Sequence, residues 1–168
     1  MTNPDHPDLS NHIALITAVD SREDDITHHV DDARLCALVG FVLVREGVVP
    51  MGVTLTFVDL DSMHALNREH MDTDRPTDVL AFPLDSPDQA AADPAHPHLL
   101  GDIVLAPHYI ADQASRHSKS LEDEIAMLTV HGALHLLGYD HAEEEERKVM
   151  FALTDHLLTE WEAMAWTP

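Results

Sequence analysis

Residues 121–141 read LEDEIAMLTVHGALHLLGYDH, and the reading of this stretch decides the architecture that the rest of the chain must support. Leu121, Ile125, Leu128, Ala133 and Leu136 recur at helical spacing, which predicts a helix over 120–137. Ser120 and Asp123 offer a capping box at its start. On such a helix His131 and His135, four residues apart, stack on one face. Gly138 suits a left-handed helix end that turns the chain back, so that His141 returns to the same point in space. Three converging imidazoles with one position left open is the usual way catalytic zinc is held.

The plain alternative is that these are three of 14 histidines, most of them on the surface. His6, His28, His29, His96 and His98 read that way, and a pair at i, i+4 arises by chance in such a chain. The third histidine beyond a glycine turn tips the balance to a metal site. The spacing H-x3-H-x2-G-x2-H also occurs in metalloproteases, where a Glu after the first histidine is the general base. Gly132 stands in that place here. Zinc alone lowers the pKa of water from 15.7 to roughly 7–9, so hydrolysis remains open while peptidase chemistry is disfavoured.

Outward from this stretch, HIALITAV (12–19) reads as a strand. A helix over about 24–46 presents Val30, Ala33, Leu38 and Val42, with Gly47 as its stop. GVTLTFVD (52–59) alternates as a half-buried strand does, and DSMHALNREHM (61–71) is a helix capped by Asp59 or Asp61. TDVLAFP (77–83) and GDIVLAP (101–107) are further strands, separated by LDSPDQAAADPAHPH (84–98), which reads as a mobile surface loop. Helices over 107–116 and 142–163 complete the chain, the second opened by the acids Glu143 to Glu146. Residues 1–11 read as loose. The expectation is one α+β (α/β-like) domain over 1–168, with a small mixed sheet of about four strands covered by helices.

With 45% hydrophobic residues the chain can bury a core. No run approaches the roughly 20 apolar residues that span a bilayer, and MTNPDHPDLSNH lacks the features of a signal peptide. The lone Cys36, in the apolar run LCALVGFVLV, reads as a buried thiol in a reducing compartment. A cytoplasmic protein without membrane contact is expected. Nine basic against 31 acidic residues give −22, which argues against tight binding of polyanions; no DNA partner is expected. The available cations are Arg34, Arg45, Arg68, Arg75, Arg116 and Lys119, and aromatics, at 5%, are too few to argue for a base-stacking platform.

HGALHLLGYDH (131–141) closely resembles the signature of the YbeY family of bacterial endoribonucleases, the ribosomal RNA maturation factors. The resemblance extends to PTDVLAFP (76–83), LGDIVLAP (100–107) and the LNREHM helix, so it covers most of residues 50–150. It implies one zinc ion per chain on His131, His135 and His141 and cleavage of single-stranded RNA. It also implies 3′-end processing of small-subunit ribosomal RNA and a part in ribosome quality control. With so few cations, weak intrinsic RNA affinity and targeting through a ribosomal protein or the assembled subunit are expected. Asp140, beside His141, is placed to hydrogen-bond a ligand or bound water, or equally to serve as a turn residue. The resemblance sets Thr77 and Asp78 near the metal, where they position substrate or cap the preceding loop. Many family members carry an arginine just before the PTDVLAFP-like strand, and that position is Met71 here. Arg68 and Arg75 are the nearest cations and the expected substrate contacts. Two other readings stay open: a metal-dependent hydrolase of a peptide or small phosphoester, and a non-catalytic assembly factor with a structural zinc. A fourth protein ligand, such as Asp140, would mark the latter.

Overall fold

The alternation of residues 52–59 builds the centre of the sheet. In the computed structural model, which describes residues 7–23 and 28–166, β2 (Gly52–Phe57) turns Val53, Leu55 and Phe57 into the main core. It pairs in parallel with β1 (Ile16–Asp20) on one side and β4 (Leu99–Leu105) on the other. β3 (Val79–Pro83) closes the far edge antiparallel to β4, so the order is β1-β2-β4-β3. The expected mixed four-stranded sheet is therefore present. Successive residues point to opposite faces, so Ile103 and Leu105 enter the main core while Val104 enters a smaller one.

The main core lies under α2 (Asp32–Arg45) and α6 (Leu121–Leu136). Every residue of α2 from Leu35 to Leu43 is buried, as an all-round apolar helix requires. Cys36 is among them, and burial pushes its thiol up to about 11, which makes it unreactive. α7 (Glu144–Ala163) covers this layer through Met150, Leu157 and Trp161. Each such side chain contributes about 1.5–3 kcal/mol by leaving water. The smaller core, Val58, Met63, Leu80, Val104 and Ala106, lies under α3 (Leu60–Met71). Asp59 is the cap of α3, accepting from Ser62 N at 2.8 Å, and its carboxyl is held below the usual range by that bond.

Three segments differ from expectation. The strand expected over 12–19 begins only at Ile16, because α1 (Ser10–Ile13) forms one helical turn locked by a bond between His12 Nε2 and Val48 O at 2.8 Å. A short apolar run does not distinguish the two conformations. The helix expected from 24 starts at Asp32, where the Asp31 carboxylate accepts from Arg34 N; residues 24–27 lie outside those described. Within 84–98, expected as loop, the chain forms α4 (Pro87–Ala92), which buries Ala90. Its signal is local: Ser86 and Gln89 make a reciprocal capping box around Pro87 at the first helical position. Of the first eleven residues, 1–6 lie outside those described, while Leu9 joins the core. Among the described residues, no helix is long and apolar enough to cross a membrane.

Candidate metal centre

α6 runs between the sheet and the outer helices, packing on β3, β4, α2, α7 and α5 (Pro107–Arg116). Ser120 caps it with one bond from Asp123 N at 3.0 Å, a single cap rather than a reciprocal box. Its other end closes by a Schellman motif: Tyr139 N donates to Leu134 O and Gly138 N to His135 O. Gly138 sits at φ +98°, the left-handed side, as the sequence predicts. The Tyr139 hydroxyl then donates to Glu46 Oε2 at 2.7 Å, tying the turn to the end of α2. The chain thus reverses, and His141 comes back beside His131 and His135.

The three imidazoles gather closely. His131 Nε2 and His135 Nε2 are 3.1 Å apart, and ring atoms from all three residues lie within 4.8 Å of one another. Two nitrogens on one tetrahedral zinc stand about 3.3 Å apart, so the donor set and its spacing suit a metal ion. Burial, and then His135 and His141, push His131 down to about 4, against the opposing charge of Asp78. His135 is lowered chiefly by burial and by His141. Both rings are therefore neutral near pH 7, the state that binds metal. Among the described residues, no fourth His, Cys, Asp or Glu belongs to this group. Asp140 Oδ1 accepts from His141 N at 2.7 Å, and its charge opposes the lowering at His135.

The missing acid after His131 has a packing reason. A Cβ on Gly132 would stand 2.9 Å from Cγ2 of Ile103. Position 132 packs against Ile103 while also lining the larger cleft beside the histidines, so any side chain there must displace Ile103.

Two clefts meet at the histidines. One, of about 450 Å³, is lined by Met71, Thr77, Asp78 and β3 together with all three histidines. The other, of about 390 Å³, joins His131, His141 and Asp78 to Gln113, Arg147 and Phe151. Asp78 is shared by both and firmly held. Its Oδ1 accepts from Val79 N at 2.8 Å and from the Thr77 hydroxyl at 3.2 Å, and its Oδ2 from Gln113 Nε2 at 3.3 Å.

Arg68 and Arg75 are exposed and line neither cleft. Asn67, one turn of α3 away from the cleft, binds Arg75 O through its amide and so shapes the connection before β3. Other expected cations are engaged elsewhere: Arg45 with Glu160 and the Phe41 face, Arg34 over Trp161, and Lys119 with Glu124. Of the five histidines assigned to the surface, His29 and His96 are exposed, His28 and His98 half-buried, and His6 lies outside the described residues. Gln113, Arg147 and Phe151 escaped the sequence reading. Arg147 and Phe151 do carry a signal, being one helical turn apart on α7, but only the packing of α7 aims them at the histidines.

The sequence model of the family described as endoribonuclease YbeY matches residues 20–162, across β2, β3 and β4, the histidine turn and most of α7. This chain belongs to the YbeY family. The endoribonuclease YbeY of Nocardia farcinica is 45% identical over 160 residues, covering 91% of this chain and 80% of that protein. The YbeY of Salinispora tropica is 48% identical over 139 residues, covering 79% and 88%. The solution structure of TM1509 from Thermotoga maritima superposes with a TM-score of 0.60 at 26% identity, covering 89% of this chain and 90% of that one. Met71, the position where the sequence comparison with the family places an arginine in many members, ends α3 and lines the larger cleft, 46% exposed.

Proposed function

We propose that this chain is a zinc-dependent endoribonuclease that hydrolyses single-stranded RNA in the cytoplasm. Its substrate is the 3′ end of small-subunit ribosomal RNA, reached through a ribosomal protein and serving maturation and quality control. One catalytic domain spans the chain. The carrying observation is the meeting of three imidazoles in an open cleft, in a chain of the endoribonuclease YbeY family. Zinc held by His131, His135 and His141 would supply Lewis-acid polarisation of a phosphoryl oxygen and a lowered pKa for water.

The chain's own residues do the rest. Gly132 leaves the helix face beside the histidines without a carboxylate, which fits phosphoryl rather than peptidase chemistry. Asp78, fixed by Thr77, Val79 and Gln113, presents a carboxylate beside His131 that orients a substrate hydroxyl or water. A three-residue donor set supports a catalytic ion over a structural one, which usually has four protein ligands.

The test offers the zinc-loaded full chain a short single-stranded RNA, the same RNA as duplex, a peptide and a small phosphodiester, with His135→Ala in parallel. Single-strand cleavage lost in His135→Ala is the expected result. Equal cleavage by both proteins, or peptide hydrolysis without RNA cleavage, overturns the reading.

A further inference from the structure

The smaller cleft joins the histidines to a cation and an aromatic ring on one face of α7. Arg147 and Phe151 are one helical turn apart and line the same depression as His131, His141, Asp78 and Gln113. Phe151 is 49% exposed, and its ring lies 6.3 Å from that of His131 at an interplanar angle of 29°. A lone exposed apolar residue needs no explanation. An exposed ring beside a metal-type histidine group, with a guanidinium one turn away, is a different case. Among the described residues, Arg147 is the only Lys or Arg lining either cleft, in a chain of formal charge −22. Its ion pair with Glu144, at 3.8 Å and exposed, is of the kind worth little. A phosphate can displace it, because an arginine fork binds phosphate oxygens in pairs.

On the reading that the chain cleaves RNA, we propose that Arg147 and Phe151 form a nucleotide subsite. The base of the nucleotide next to the scissile phosphodiester stacks on Phe151, and Arg147 holds a phosphate of that nucleotide. The subsite places its cationic contribution on the wall built by α7. It reads no base edge, so it tolerates any sequence, as stacking platforms for single strands do.

The experiment measures binding of a fluorescent single-stranded oligoribonucleotide to the zinc-loaded full chain by anisotropy across a salt series. Phe151→Leu is expected to bind roughly 5- to 150-fold more weakly, the range of one base stack. Its salt slope should be unchanged. Arg147→Gln is expected to make the slope of log affinity against log salt shallower by about 0.7, one phosphate contact, and Arg147→Lys to retain it. Both positions are exposed, so zinc content and melting temperature should match wild type. An abasic nucleotide moved along the strand should weaken wild-type binding at one position, and that penalty should vanish in Phe151→Leu. A wild type that cleaves RNA while these variants bind and cut as it does removes the subsite alone. An abasic penalty that persists in Phe151→Leu does the same. A wild type that neither binds nor cleaves RNA removes the proposed function, and the subsite with it.

Discussion

The turn that brings His131, His135 and His141 together occupies eleven consecutive residues, whereas the walls facing it come from α3, β3, α5 and α7. In the turn, each position follows from helical period and one left-handed glycine. In the walls, position follows from which elements pack side by side. Changes in the turn should therefore abolish metal binding outright or act through local strain, and changes in the walls should spare the metal and grade the handling of substrate.

The largest contrast is expected from His135→Ala. Elemental analysis should find about one zinc per wild-type chain and almost none in the variant, while Arg147→Gln keeps full zinc. Retention of zinc by His135→Ala would end the distinction between turn and walls.

Gly132→Glu tests the same helix at the residue after His131. Its Cβ meets Ile103 at 2.9 Å, so Ile103 must give way and chemical denaturation should show a loss of about 1–3 kcal/mol. A stable Gly132→Glu protein would show that this helix face has room for the acid that proteases carry there.

Gly138→Val should cost about 1–3 kcal/mol in the metal-free chain, because no side chain approaches position 138 and only the φ of +98° is at issue. Zinc affinity, measured by chelator competition, should fall with it, since the return of His141 depends on this closure. Unchanged affinity would mean that the Tyr139–Glu46 bond alone holds the turn.

Acid should act on the turn with a defined sign. His131 has a folded pKa near 4 against 6.5 for a free imidazole. Above pH 6.5 neither state takes a proton there. Between 6.5 and about 4 the unfolded chain binds one and the folded chain does not, so metal-free stability falls as pH falls through this window. The part owed to His131 should be absent from the stability curve of His131→Asn and so appear in the difference from wild type, checked by thermal melts at stepped pH. With zinc competing for the neutral rings, metal release should lie below pH 6.5.

The smallest effect is expected at Arg68→Glu with Arg75→Glu. Both lie outside the cleft linings, so RNA affinity should change less than for Arg147→Gln in the same salt series. A larger loss would move the phosphate contact back to the α3 side.

Features that depend on neighbours along the chain are written in the residues themselves. The alternation of Val53, Leu55 and Phe57, the histidine pair four residues apart, and the glycine that needs positive φ were all legible before any contact was known. The capping box at Ser86 was equally local, and reading 84–98 by composition hid it. Which elements share a space is set by the packing of the whole fold. It split 12–19 into α1 and β1 because His12 reaches Val48, across a loop no periodicity describes. It turned Gly132 toward Ile103, a contact between segments far apart in the chain. It drew Arg34, Arg45 and Lys119 into partnerships away from the histidines and set Arg147 and Phe151 beside them. An aromatic content of 5% says nothing of where one ring is aimed. Periodicity and backbone angle are properties of a few adjacent residues; the make-up of a cleft is set by the packing of whole faces, which no local pattern encodes.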